Sequence, residues 1–532
     1  MSKLLASRRR NTGFLYTPLA PLRLCERYFA WNGSVVTFLG LVLALIAGLL
    51  LIKLSPLGGV LFVLLAVGGV ATAVEPLAGL IIMLFLAPLW AYLRAEVPQV
   101  PAQIAQVFFA LTLAVWLARG LARRDVRLGE HKGLPLQLPL FAFAGAALLS
   151  LWDAVELPVY GVMEFAKWVQ IVMLFFFVAT HLTPKRLPWL VGGLLATGVF
   201  QAAVGIWQFG LRGDGPEHFA ILGERFYRAY GTFEQPNPYA GFLGLMLPIA
   251  VGVVIGLLAD VLKKRQEDRE TRRQKEARVL PVSLPPCPRS ILTPSVLVSG
   301  VAAIAMGVAL LASWSRGAWI GFAAAVAAMA FALPRKTRWG VLVVIVLAVA
   351  GVGLYAAGLM PASVEARLTD FAEYARFEDV RGVGINDANY AVIERQAHWQ
   401  AALEMWRYNF WTGVGFGCYE PAYRDFALIN WPIALGHAHN YYLNIAAETG
   451  LIGLVAYVVL WGAVFWQTWR ATRRASGLLR GLAIGLLGTW THLSVHHLFD
   501  NLYVNNVHLY VGVLLGFLAY IVQQTNRQTN QL

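Results

Sequence analysis

The feature that most constrains this chain is its succession of long apolar runs, almost free of charge. About fourteen can be marked, near residues 35–52, 57–74, 77–93, 102–118, 136–152, 160–181, 187–209, 239–259, 295–313, 317–333, 339–358, 440–468, 481–499 and 503–523. A helix needs ~20 mostly apolar residues to cross the hydrocarbon core, with ~17 as a practical minimum. The runs therefore predict an all-α, polytopic integral membrane protein with 12–14 transmembrane helices, since the second and fifth runs are short and marked by Gly or Pro. Composition agrees: 58% of the 532 residues are apolar or aromatic and only 14% are charged, against ~25% in soluble domains. A disordered chain, a collagen-like fibre and a disulfide-stapled secreted domain are excluded. Cys25, Cys287 and Cys418 share no metal or redox spacing.

The net charge of +14 suggests nucleic acid until its distribution is examined. With the N-terminus placed inside, the alternate segments 1–34, 119–135, 182–186, 260–294, 334–338, 469–480 and 524–532 hold 30 of the 43 Lys and Arg residues. That bias is the positive-inside pattern and predicts both termini in the cytoplasm; no nucleic-acid partner is expected. Arg8, Arg9 and Arg10 read as a cytoplasmic anchor, and the run 263–278 as a solvated cytoplasmic helix or loop. The chain divides into a cytoplasmic segment (1–34), an N-terminal bundle (35–209), helices with a basic cytoplasmic loop at 260–294 (210–358), an external loop (359–439) and C-terminal helices (440–532). A loop as long as 359–437 between spans has structure or function of its own; its pattern predicts short helices at about 363–378 and 388–408, then the Gly-rich WTGVGFG at 411–417.

Polar residues gather at the expected outer boundary. The stretch 224–241 places Arg225 and Arg228 beside Gly231, with QPNP (235–238) at a helix start, where free N–H groups favour anions. The turn 313–321 sets Ser315 and Arg316 between apolar runs, where a guanidinium is costly unless it meets a polar cavity or a partner. The segment 436–453 carries His437, His439 and Asn440, with Glu448 almost three turns deeper. Histidine suits proton exchange near neutral pH. A fourth group, His492, His496 and His497 with Asp500, contains an i, i+4 histidine pair but no complete ligand set for a metal. The fork of donors on arginine suits phosphate or diphosphate, and a histidine alongside suits deprotonation of an attacking hydroxyl. Together they fit group transfer from a polyprenyl-diphosphate carrier. A P-loop is absent from the sequence.

At these residues the chain resembles the O-antigen ligase and polymerase superfamily of bacterial envelopes. The ligase pattern is His, then Asn, Ser or Gln, nine residues, Gly, two residues, and Gly, Thr or Tyr; His439-Asn440, Gly450 and Gly453 match it. The R-x-x-G-T-F…P-N element resembles Arg228 to Asn237, the S-R-G element Ser315-Arg316-Gly317, and the Arg, Trp, G-V-G pattern Arg395, Trp399 and Gly413-Val414-Gly415. The resemblance covers about residues 200–455. It implies a GT-C-like, inverting glycosyltransferase without metal or cofactor, in the bacterial inner membrane and acting on its periplasmic or external face. The donor would be an undecaprenyl-diphosphate-linked glycan and the acceptor lipid A core or another glycan. Arg228 and Arg316, with Arg225 nearby, would bind the diphosphate, and His439 would be the base, with His437 as its alternate; Asn440, Ser315, Arg395 and Glu448 would support them. An O-antigen or exopolysaccharide polymerase is the alternative within the superfamily. A lipid-glycan transporter or flippase is the alternative outside it, which should place polar pairs near the bilayer midplane, where Glu164 and Lys167 are the main candidates.

Overall fold

The computed structural model describes residues 56–97, 100–122, 135–276, 292–369, 379–386 and 389–530. The expected segment 1–34, the first expected span, the middle of the basic loop and the end of the first external helix lie outside the described residues. Residues 71–532 form one unit. The apolar helices are α1 (Pro56–Val74), α2 (Pro76–Leu86, continued by helical turns to Glu96), α3 (Ile104–Ala122), α4 (Gln137–Ser150), α5 (Val162–His181), α6 (Leu187–Ile206), α7 (Pro236–Glu276), α8 (Pro294–Ala312), α9 (Arg316–Ala332) and α10 (Thr337–Ala356). The external loop supplies α11 (Ala362–Thr369), α12 (Tyr390–Tyr408) and α13 (Tyr419–Phe426), and the chain ends with α14 (Tyr441–Arg474), α15 (Gly477–His496) and α16 (Val507–Asn530). A two-residue hairpin, β1 (Ala220–Ile221) against β2 (Phe226–Tyr227), is the one sheet among the described residues.

The protein is thus all-α and polytopic. Among the described residues, nine helices are long and apolar enough to cross a membrane, and three shorter apolar ones fall in α1, α4 and α9. With α15, these coincide with every expected span except 35–52. The sorting into lipid-facing and core helices follows their side chains. Bulky aliphatics cover α10, and Val346, Val349 and Val352 are all exposed, whereas α16 is buried on nearly every face. At the centre α15 crosses α7 through small residues: a Cβ on Gly252, Gly481 or Gly485 would strike the backbone of the facing helix. Close approach through glycine is the usual way membrane helices gain packing where no hydrophobic drive separates protein from lipid. Pro248 interrupts the hydrogen-bond ladder of α7, and Thr489 of α15 donates to the nearby Leu245 carbonyl at 2.9 Å.

Loops expected on the same side meet one another. At the inner end, Glu75 pairs with Arg186 at 2.7 Å and with His181 at 2.9 Å; Asp260 accepts from the Leu478 amide at 3.1 Å, and Arg335 donates to the Arg473 carbonyl at 3.0 Å. At the outer end, Thr232 donates to the Pro88 carbonyl at 2.7 Å, Thr412 to Asp153 at 2.6 Å, and Asn505 to the Phe233 carbonyl at 3.2 Å. The charge bias of the sequence predicts that the first of these ends faces the cytoplasm. In a background without the native cysteines, Ile429→Cys (96% exposed) should react with an impermeant thiol reagent on intact cells. Gln266→Cys should react only after lysis. The reverse order would invert the orientation.

Candidate active site

The outer turn between α8 and α9 is built around main-chain oxygens. Trp314 takes a left-handed φ of 55°, and Ser315 precedes the first residue of α9, Arg316. The Ser313 hydroxyl donates to the Leu310 carbonyl at 2.6 Å and accepts from the Ser315 amide at 3.3 Å. The Ser313 carbonyl is left to accept from Arg228 Nε at 3.0 Å, while the same guanidinium reaches Asn237 Oδ1 at 3.3 Å. Arg228 is placed by its backbone: its amide donates to the Phe219 carbonyl, and that of Ala229 to the Ala312 carbonyl, both at 2.9 Å. Arg228 therefore bridges the C-terminal end of α8, whose carbonyls favour a cation, and the first turn of α7. Burial first, then the charges of Arg367, Arg395 and Arg316, push its guanidinium down to about 9. Four cations thus share one neighbourhood, a natural seat for a polyanion.

The histidine loop is equally ordered. Asn440 caps α14, its Oδ1 accepting from the Tyr442 amide at 3.0 Å and the Leu443 amide at 3.1 Å. Asn444 holds the Ala438 amide at 3.0 Å, and the Tyr441 amide donates to the His497 carbonyl at 2.8 Å. Between these anchors His439 adopts a left-handed φ of 51°, a conformation that costs free energy and collects at functional sites. The His439 amide donates to His437 Nδ1 at 3.0 Å, which assigns the His437 proton to Nε2, the atom 3.5 Å from Asp500 Oδ1. His439 Nδ1 faces the same oxygen at 3.8 Å, an ion-pair distance rather than a hydrogen bond. Both ring nitrogens of His439 are buried without a hydrogen bond among the described residues. A proton on Nδ1, facing the carboxylate, would leave the lone pair on Nε2. Burial alone would raise the Asp500 carboxyl, but His439, His437 and Arg395 together hold it well below the usual range, so it is a fixed anion. Burial pushes His437 down to about 4, with His439 and Arg395 adding to the effect against Asp500.

A third imidazole, His398 of α12, stacks on Tyr423 (ring centres 4.5 Å apart) and meets His439 edge to face at 5.7 Å. Arg395 on the same helix acts electrostatically on Arg228, His437 and Asp500 alike. The two halves also touch: a Cβ on Gly317, next to Arg316, would lie 2.9 Å from His496 Cδ2 and 3.2 Å from Phe499 Cβ, one residue before Asp500.

The glycines of the long loop have a different task. α14 breaks at Gly450 (φ 62°, ψ −163°). The Leu451 amide donates to the Phe410 carbonyl at 2.8 Å and that of Ile452 to the Trp411 carbonyl at 3.3 Å; in return the Val414 and Gly415 amides reach the Ala447 and Glu448 carbonyls at 2.9 and 3.1 Å. A side chain at Gly413 or Gly450 would collide with the opposing backbone. Glu448 accepts from the Tyr419 amide at 3.2 Å and so helps fasten the loop.

Of the residues singled out in sequence, Arg228, Arg316, Arg395, His437 and His439 come together. Arg225 does not: it is exposed in the hairpin turn, its guanidinium 5.5 Å from the Phe226 ring centre. His492 and His496 turn to each other at 3.4 Å inside α15, and Glu164 closes on Lys167 at 2.5 Å. Asp500, Arg367 and His398 were not among the expected site residues. Asp500 has a weak signal, the histidines just before it; the other two have none, because the long loop's fold alone delivers them.

One ligand atom from each of His437, His439 and Asp500 lies within 4.8 Å of the others, close to a three-ligand metal site. A metal there would have to displace a hydrogen bond. The nitrogen of His437 that faces Asp500 carries the proton, because the other accepts the His439 amide, and a metal needs that lone pair.

Residues 301–458 match the family model described as O-Antigen ligase. Over that segment, less than a third of the chain, the sequence is similar to the O-antigen ligase family, in agreement with the resemblance carried by its motifs. Arg316, Arg367, Arg395, His437 and His439 fall within the matched segment; Arg228 and Asp500 lie outside it. Among curated proteins, none matches the chain.

Replacing the cap by Asn440→Ala should cost about 1 kcal/mol of stability, read as a lower unfolding temperature of the purified protein, with Asn440→Asp close to wild type. Chelation with EDTA should leave glycan transfer unchanged; loss restored by one divalent metal would overturn the tautomer assigned to His437.

Proposed function

We propose that the protein transfers a glycan from an undecaprenyl-diphosphate carrier to an acceptor hydroxyl, as an O-antigen ligase with lipid A core as acceptor. The observation that carries this reading is the contact of Gly317 with His496 and Phe499, which sets the turn holding Arg228 and Arg316 against the helix end that carries Asp500 and so brings a cationic cluster beside a histidine–carboxylate pair. Arg228 and Arg316 hold the donor diphosphate. His439 Nε2 takes the acceptor hydroxyl proton while that oxygen bonds to the anomeric carbon from the face opposite the leaving group. The carbon–oxygen bond to phosphate breaks, and its electron pair leaves with the diphosphate, where the guanidiniums stabilise the growing charge. Asp500 stabilises the imidazolium that forms; its long separation from Nδ1 shortens as charge develops. No step calls for a metal, since arginines supply the positive charge. The site lies on the periplasmic or external face of the inner membrane, opposite the basic loops.

The test is reconstitution with polyprenyl-diphosphate glycan and defined acceptors. A single addition to lipid A core supports the ligase; a ladder of lengths without that acceptor makes the protein a polymerase; no transfer to any acceptor removes the reading in favour of transport. His439→Ala should lower turnover ~10²–10⁴-fold with donor binding almost unchanged. Asp500→Asn, which keeps the shape but loses the charge, should also lower turnover, by a smaller factor. Arg228→Ala should weaken both donor binding and turnover. A folded His439→Ala protein with near-normal turnover would eliminate His439 as the base.

A further inference from the structure

We propose that Arg367, on helix α11 of the external loop, is a donor-binding residue that grips the leaving diphosphate beside Arg228 and Arg316; the inference rests on the diphosphate reading above. Its guanidinium donates to the Trp314 carbonyl at 3.2 Å, and Arg228 donates to the preceding carbonyl, Ser313, at 3.0 Å. Successive oxygens of one turn therefore hold two guanidiniums side by side, and Arg316 follows two residues after Trp314. Like charges are not brought this close for stability, because each raises the cost of the other. Arg367 is the largest of the neighbouring charges acting on Arg228. The opposite face of α11, with Glu365 and Thr369, borders an apolar gap of about 250 Å³ against α10, while Arg367 reaches the turn through the Trp314 carbonyl.

The chemistry explains why a third guanidinium is useful. A lipid diphosphate joined to a sugar carries about two negative charges and gains roughly one more when the bond to the sugar breaks. A residue matched to that extra charge favours the transition state and the released lipid diphosphate over the intact donor.

The test is binding of a polyprenyl diphosphate and of a polyprenyl monophosphate to the purified full chain in lipid nanodiscs. Wild type, Arg228→Ala, Arg367→Ala and Arg367→Gln are compared; Gln keeps an amide donor for the Trp314 carbonyl and guards against a variant that misfolds. Both Arg367 variants should bind the diphosphate about 10–100-fold more weakly, the usual range for a charged hydrogen bond, and the monophosphate with a much smaller loss. Loss in Arg228→Ala alone, with folded Arg367 variants binding normally, overturns the role of Arg367 and leaves the donor reading standing. Normal diphosphate binding in all three variants overturns both.

Discussion

A helix interrupted inside a bilayer leaves amide and carbonyl groups that lipid cannot satisfy, and at Gly450 the external loop supplies the partners. Phe410 and Trp411 receive the amides just past the break, and Val414 and Gly415 donate to the carbonyls just before it. The exchange is possible only because the approaching strands lack side chains at Gly413 and Gly450. One consequence is that α12 and α13 are tied to the membrane bundle rather than tethered loosely above it. Arg395 and His398 are therefore delivered from a loop with the precision of a helix in the core. Gly450 of the ligase-like pattern is thus structural, and it lies eleven residues after His439 on the same ordered segment.

The cationic half of the site follows the same economy of backbone groups. The C-terminal end of α8 and a turn with a left-handed Trp314 leave oriented carbonyls, and Arg228 and Arg367 occupy them. Both guanidiniums donate to main-chain oxygens of that turn, which orients them. Asp500 is the one carboxylate that acts on the histidine pair and also answers Arg395. Positive potential for a diphosphate and a negative partner for an imidazolium can coexist because Asp500 lies at the far end of α15, past His496 and Phe499.

Much of this was legible in the sequence, and for physical reasons. Crossing a bilayer imposes length and apolarity on each helix, so the spans could be read directly, and thirteen of the fourteen fall on described helices. Grouping Arg225 with Arg228 failed because adjacency in a hairpin does not fix direction: a turn with left-handed residues at 222–224 leaves Arg225 outside. The contact made by Glu448, expected only as a supporting residue, was hidden for a different reason. Its depth on α14 was foreseeable, but not that a loop amide 29 residues earlier would claim it.

The sequence alone determined the class of protein, the sidedness implied by its charges, and the residues able to bind a diphosphate or move a proton, because hydropathy, charge bias and side-chain chemistry are local properties. Only the tertiary structure decided which of those residues share a site. Asp500, Arg367 and His398 lie far along the chain from one another and from Arg228, and they meet through helix crossings at glycines and a loop latched across a broken helix. Such meetings are set by packing and by the need to satisfy backbone groups in lipid, which no short stretch of sequence records.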